Sequence, residues 1–366
     1  MKRITWIIIV CVVLLLGIFA LWGDGNEGKK KEITGSIRIG AVLPLTGPAA
    51  AIGESIKETY EWRAEELRAE GLDIELLIED GESNPVKSVS AFNKLVDIDG
   101  VDYVFTTLSS VSMMLKPLSE EKKVLLWSYA AHPDITTDST YVLRHSNTVS
   151  YDAKGLAGSI ISRKRKNVAI LYQQDGWGVS LANELAQHLA SSSIAVLKEG
   201  IDYTKSDFRA NITKVLAARP DGVVNIAVGP AAALLVKQAR EQGYAEDLFS
   251  SIGFLLSPGA QEIAGDAALD MFYTTYPPNE AFEDAYRARF AKEPTAFAFV
   301  AYTDVELFVH ALRESDSRDP KDIADYIKGM GEYQGTYERA LILPSGDIVV
   351  LTTIKKWPPE EDKRSQ

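Results

Sequence analysis

The chain has 366 residues, a net charge of −12, 46% hydrophobic residues and one cysteine. That length suits about two domains and a tail, and the hydrophobic share excludes wholesale disorder. The acidic balance argues against a nucleic-acid binder, which would show a basic face. The lone Cys11 excludes a disulfide framework, a cysteine-built zinc cluster or thiol catalysis in the folded part.

The first element is apolar. Ile4 to Trp22 carries no charge, and as a helix it would rise roughly 28 Å, enough to cross a hydrocarbon core. Lys2 and Arg3 precede it and keep the N-terminus cytoplasmic. Ala20-Leu21-Trp22-Gly23 is a poor cleavage site. Residues 1–23 are therefore expected to be an uncleaved apolar membrane helix, with a cleaved signal peptide as the alternative. Either reading puts the remainder outside the cytoplasmic membrane. Residues 24–35, "DGNEGKKKEITG", read as a flexible spacer, and 358–366 as a polar tail.

The regular pattern begins at Ser36. "SIRIGAVLPL" is a predicted strand, and "IGESIKETYEWRAEELRAEG" a helix that gathers Ile52, Ile56, Tyr60 and Leu67 near one face. "DIELLIED" is a strand. "NPVKSVSAFNKLVD" is a helix with Pro85 in its first turn. "VDYVFTT" follows as a strand, Ser110 to Glu121 as a helix and "KVLLWS" as a strand. The theme then repeats: "KNVAILY", a helix from Val179 to Leu189, "SIAVLKEG", a helix from Phe208 to Ala217, "DGVVNIAV", and a helix from Ala231 to Gln242 stopped by Gly243. Apolar strands alternating with amphipathic helices mean parallel sheets covered on both faces. Two such runs predict two doubly wound α/β lobes. The C-terminal part carries helices near Glu280 to Ala291, Val300 to Arg313 and Lys321 to Met330, then a strand pair within "RALILPSGDIVVLTTIKKW".

Ligands of open parallel sheets sit beyond the carboxyl ends of the strands. The loops to inspect are therefore "LPLTGPAAAIGES", "TTLSSVSM", "WSYAAHPD", "YQQDGWGVS", "AVGPAAA" and "IGFLLSPG", most of them rich in small residues. Ser109 and Ser110 have three readings: nucleophile, helix cap, or hydroxyls that hold a polar ligand head. The context L-S-S-V-S lacks the glycines of a nucleophile elbow, and of the four histidines only His132 falls in a suitable loop. No phosphate-binding loop or dinucleotide fingerprint is present, and "EDGESNP" lacks calcium-loop spacing. No cofactor or metal is expected. Trp177, flanked by glycines after a strand, is read as facing the cleft. Phe297 and Phe299, two apart, would share a face in an extended stretch and form either a ligand wall or core.

The ordered set "IRIGAVLPLTGPAAAIGES", "EDGESNP", "LSSVS", "SYAAHPDIT", "VAILYQQDGWG", "EIAGDAALDMFYT", "AFAFVAYTDVELFVHAL" and "LILPSGD" resembles the type I periplasmic solute-binding proteins of ABC importers. The likeness spans about Ser36 to Trp357 and is strongest to the branched-chain amino acid (leucine/isoleucine/valine) branch. It implies two lobes joined by a three-stranded hinge with crossings near Asn147, Pro277 and Gln334. Lobe 1 would then comprise 36–147 plus 277–333, and lobe 2 148–276 plus 334–357. It further implies hinge closure on a small solute, no catalysis, delivery to an ABC permease, and a monomer. The family's carboxylate-binding hydroxyl and small residues map to Ser110, beside Ser109, and to Ala130, Ala131 and His132. Its side-chain contact maps to Ile52, its second-lobe aromatic to Trp177, and its wall aromatic to Phe299. Two positions depart: the family's ammonium-binding acid falls on Gly253 and a nearby tyrosine on Val228. Asp175 or Asp304 would have to substitute for the acid. The resemblance thus implies an extracytoplasmic solute-binding protein for an amino acid, amide or carboxylate. The alternatives are a receptor module that signals through a membrane partner and a serine hydrolase that pairs Ser110 with His132.

Overall fold

The computed structural model describes Ile33 and residues 35–256, 259–276, 279–295, 297–350 and 352–358. The expected apolar helix over 1–23, most of the 24–35 spacer and the tail beyond Pro358 lie outside the described residues. Among the described residues no helix is long and apolar enough to cross a membrane.

The first lobe opens with β1 (Ile37–Leu43), α1 (Ala50–Ala69), β2 (Ile74–Asp80), α2 (Pro85–Asn93), β3 (Tyr103–Thr107), α3 (Ser109–Lys122), β4 (Leu125–Tyr129) and β5 (Val142–His145). The chain then crosses to α4 (Val149–Ser162), β6 (Asn167–Gln173), α5 (Gly176–Ser191), β7 (Ala195–Ile201), α6 (Arg209–Leu216), β8 (Gly222–Ile226), α7 (Gly229–Glu241), β9 (Asp247–Ser250), α8 (Ala260–Ala264) and β10 (Phe272–Thr275). It returns through α9 (Glu280–Phe290), α10 (Ala298–Ser315) and α11 (Pro320–Met330) to β11 (Glu332–Gln334), β12 (Arg339–Ile342) and β13 (Asp347–Val349), and ends in β14 (Thr353–Lys356). Local chemistry sets several starts. Asn84 Oδ1 accepts from the N–H groups of Val86 and Lys87 with Pro85 in the first turn of α2, a side-chain cap on otherwise orphan donors. Asp175 does the same for α5 by accepting from Gly178 at 2.8 Å.

Two sheets result. One runs β11-β12-β13-β5-β4-β3-β1-β2 and the other β14-β10-β9-β8-β6-β7. The central strands pair in parallel, and among the described residues antiparallel pairs occur only at the β11–β12–β13 edge and at β14. In β6, Val168 and Ile170 pack into one hydrophobic cluster while Ala169 and Leu171 pack into another. The strand is buried on both faces, which is why it reads as a continuous apolar run. The fold is thus the expected pair of doubly wound lobes.

The third crossing is displaced from its expected place. β11, β12 and β13 extend the first sheet, and only β14 joins the second. The chain therefore crosses between Val349 and Thr353 and not near Gln334. β13 lies parallel to β5, and buried Arg144 on β5 pairs with Asp347 on β13 at 2.6 Å. The first crossing lies between β5 and α4, and the second between β10 and α9. Asn147 Nδ2 in the first donates to Thr352 Oγ1 in the third at 2.6 Å, tying the two together.

Candidate ligand-binding site

The carboxyl ends of both sheets face one cavity between the lobes. Its volume is about 70 Å³. That is a small-molecule space. Lobe 1 supplies Ile52 from α1, Thr107, Leu108 and Ser109 at the junction of β3 and α3, and Tyr129, Ala130 and Ala131 at the end of β4 and just beyond it. Lobe 2 supplies Gln173 at the end of β6, Asp175 and Trp177 after it, Tyr203 after β7, Val228 after β8 and Ile252 after β9. The hinge adds Ser146, Asn147 and Tyr276.

The start of α3 answers the serine question. Leu108, not a serine, is the N-cap; it holds φ +71, and no side chain caps the helix. A non-glycine residue in that region costs about 1–3 kcal/mol, a strain that clusters at ligand clamps. The first-turn N–H groups of α3 lack intrahelical partners, and they sit where the positive end of the helix dipole favours an anion. Ser109 is buried and lines the cavity, and its hydroxyl makes no hydrogen bond to the described residues. Ser110 is not among the lining residues. It lies instead against lobe 2, where a Cβ built on Gly176 would come 3.5 Å from its backbone nitrogen. The lobes also meet at Gly229, φ +66, where a Cβ would come 2.8 Å from the Pro48 carbonyl oxygen. Two glycines thus mark points where the lobes touch across the cleft.

Of the other expected residues, Ala130, Ala131, Trp177, Ile52 and Val228 line the cavity. His132 does not: its Nδ1 accepts from the Asp134 N–H and starts a short turn, so no Ser110–His132 pair meets in the cavity. Phe299 does not either. The expectation of an extended stretch is wrong here, because Phe297 is the N-cap of α10 and Phe299 lies inside that helix. Helical geometry turns the two apart, and Phe297 is the one that faces the cavity. Its ring packs 4.3 Å from Tyr129 and 6.0 Å from Tyr276, centroid to centroid. Gly253 is buried and cannot bear a side chain with this backbone, since a Cβ would fall 2.0 Å from the Ala227 carbonyl oxygen. Asp304 is also excluded from the cavity. It sits in the lobe 1 core, accepts from Trp127 Nε1 at 2.7 Å and pairs with His145 Nδ1 at 2.6 Å. Burial opposes the charge on His145, but Glu338 and Asp304 hold its pKa up at about 10.

Among the described residues two carboxylates line the cavity, Asp152 and Asp175. Asp175 is pushed up by burial, offset by its bonds to Gly178 and Gln173. Gln173 donates to it at 2.7 Å and accepts from the Val228 N–H at 2.9 Å, so the lobe 2 wall is a connected chain of hydrogen bonds. Asp152 on α4 is 7% exposed. Burial pushes its pKa up to about 7, with only the Thr274 hydroxyl working against the shift. Sequence reasoning missed Asp152 because no helix was assigned between the first lobe's last strand and "KNVAILY". It missed Tyr129 and Gln173 although both lie in loops already singled out, and Tyr203 and Tyr276 because those junctions were not inspected.

The profile of the periplasmic binding proteins matches residues 36–350. A relative, the Leu/Ile/Val-binding protein homolog 2 of Brucella abortus (strain 2308), is 30% identical over 348 residues, which cover 88% of each chain. Among solved structures, the leucine-binding protein LivK of Thermotoga maritima superposes with a TM-score of 0.81 at 22% identity, over 87% of this chain and 95% of that one. A solute-binding protein of an ABC transporter from Rhodopseudomonas palustris BisB5, solved with 3,4-dihydroxybenzoic acid, superposes with a TM-score of 0.78 at 21% identity, over 88% and 93%.

Proposed function

This chain belongs to the periplasmic binding protein family, and from that premise we propose that it is the extracytoplasmic solute-binding component of an ABC importer. It takes a small amino acid, amide or carboxylate into the cleft and presents the closed form to a membrane permease. The observation that carries this reading is the small cavity where the post-strand ends of both lobes face each other, the place where doubly wound sheets bind ligands. The first-turn N–H groups of α3 with the Ser109 hydroxyl form the anion-accepting wall. Trp177, Tyr203 and Phe297 supply the apolar walls. Three crossings allow the lobes to rotate about a hinge, and the apolar stretch Ile4–Trp22 serves as tether or export signal. Calorimetric titration with the L-amino acids and a set of aliphatic and aromatic carboxylates tests the reading. Saturable binding of one solute per chain is the expected result, and silence across both sets would overturn it.

A further inference from the structure

We propose that the Asp152 carboxylate is the seat for a cationic nitrogen in this cleft, and that the ligand therefore carries an amine opposite its anionic end. The proposal rests on the solute-binding reading above and assigns the polarity of that same site.

Three observations lead to it. First, among the described residues no lysine, arginine or histidine lines the cavity, whereas two carboxylates do. Second, the two carboxylates differ in what they already hold. Asp175 caps α5 and accepts from Gln173. Asp152 is more than nine-tenths buried and has no ion pair and no cationic neighbour among the described residues. The Thr274 hydroxyl beside it is, among the described residues, the one polar group that offsets the cost of its charge, and it carries no charge of its own. A buried carboxylate is costly unless a cation or hydrogen bonds accompany it, and here the missing partner faces the ligand space. Third, the alternative positions are closed. Gly253 has no room for a side chain, and Asp304 is tied into the lobe 1 core by His145 and Trp127.

The surroundings of Asp152 suit a cation. Tyr276 lies close enough for the Asp152 charge to disfavour its ionisation. Its hydroxyl bonds the Tyr129 hydroxyl at 2.9 Å, and Phe297 packs against both rings. Aromatic faces beside a carboxylate attract an ammonium through their quadrupoles. Asp152 belongs to lobe 2, while Ser109 and the α3 N-terminus belong to lobe 1. A zwitterion would thus be held by opposite lobes at opposite ends, and its two charges would draw the cleft shut. An aromatic carboxylate without an amine would fill the anion-accepting wall but leave Asp152 unpaired.

The test is calorimetry on the purified full chain and its Asp152→Asn and Asp175→Asn variants. The probes are the L-amino acids, each binder's deaminated counterpart (4-methylpentanoate for leucine) and benzoate. Wild type is expected to prefer the amine-bearing probe over its deaminated counterpart by about 30-fold or more. Asp152→Asn is expected to remove that preference by weakening the amine-bearing probe about 30-fold, while the deaminated one changes less than about threefold. Asp175→Asn should retain the preference. Undiminished amino-acid binding by Asp152→Asn overturns the assignment, as does wild type binding benzoate or the deaminated probe as tightly as the amino acid. In those cases the solute-binding reading survives. If wild type binds none of the probes, that reading falls and the assignment with it.

Discussion

Asp152→Asn is expected to weaken ligand binding and at the same time to stabilise the ligand-free protein at neutral and alkaline pH. The folded carboxyl has a pKa of about 7 against an ordinary 3.8. Between those values the folded state holds a proton that the unfolded chain has released, so stability falls as pH rises through that window. Each pH unit of the window is worth 1.36 kcal/mol, so above pH 7 the penalty reaches about 4 kcal/mol. At pH 4 the same group costs well under about 1 kcal/mol. Asparagine is nearly isosteric and carries no charge, so it removes the penalty wherever it exists. Urea unfolding of wild type and variant at pH 4 and pH 8 measures this directly: the midpoints should nearly coincide at pH 4, and the variant's should be clearly higher at pH 8. A variant that is no more stable at pH 8, or whose gain is the same at both pH values, would refute the reasoning. A merely structural aspartate would show the opposite sign, because losing it would destabilise the fold.

Other outcomes follow from the same geometry. Ser109→Ala should weaken a carboxylate-bearing ligand by about 1.5–3 kcal/mol, the loss of a hydrogen bond to a charged group, whereas Ser110→Ala should change affinity less than about threefold; calorimetry distinguishes them. Gly176→Leu should wedge the α3–α5 contact and hold the lobes apart, seen as a larger radius of gyration by small-angle scattering and weaker binding, with an unfolding midpoint close to wild type. His145→Gln should destabilise the protein by about 3–5 kcal/mol by stripping buried Asp304 and Glu338 of their cation. His145's pKa is raised from 6.5 to about 10, so its contribution is full below about pH 6.5 and fades as pH rises through 10. Wild type should accordingly lose stability across that range, while His145→Gln should show a flatter pH profile in urea unfolding.

Most strands and helices of the two lobes were legible because they are largely apolar or amphipathic at helical spacing, and because Asn84, Pro85 and Gly243 punctuate them; the short β9, α8 and β10 were not assigned, being only four or five residues long. The stretch from Val142 to Ser162 was not. β5 is four residues long and carries Arg144 and His145, polar residues that are buried only because Asp347, Asp304 and Glu338 come from distant sequence to meet them. Nothing local announces such partners. The third crossing was misplaced for a related reason: β11, β12 and β13 look like any short strands, and which sheet they extend is decided by the parallel pairing of β13 with β5. At the site, post-strand loops led to Ser109, Ala130, Ala131, Trp177 and Val228. They could not distinguish Ser109 from Ser110, since that depends on the positive φ of Leu108, nor Phe297 from Phe299, since that depends on where α10 begins. Asp152 lies on a helix after a crossing, beyond the reach of any rule about strand ends.

The most direct measurement is a crystal structure of the protein grown with the amino acid that calorimetry selects. Ligand density is expected between the lobes, with its carboxylate at Ser109 and the first turn of α3 and its nitrogen within hydrogen-bond distance of an Asp152 oxygen. Density lodged elsewhere on the molecule, or an empty cleft in crystals of a saturated sample, would contradict the idea that these two lobes close around a solute.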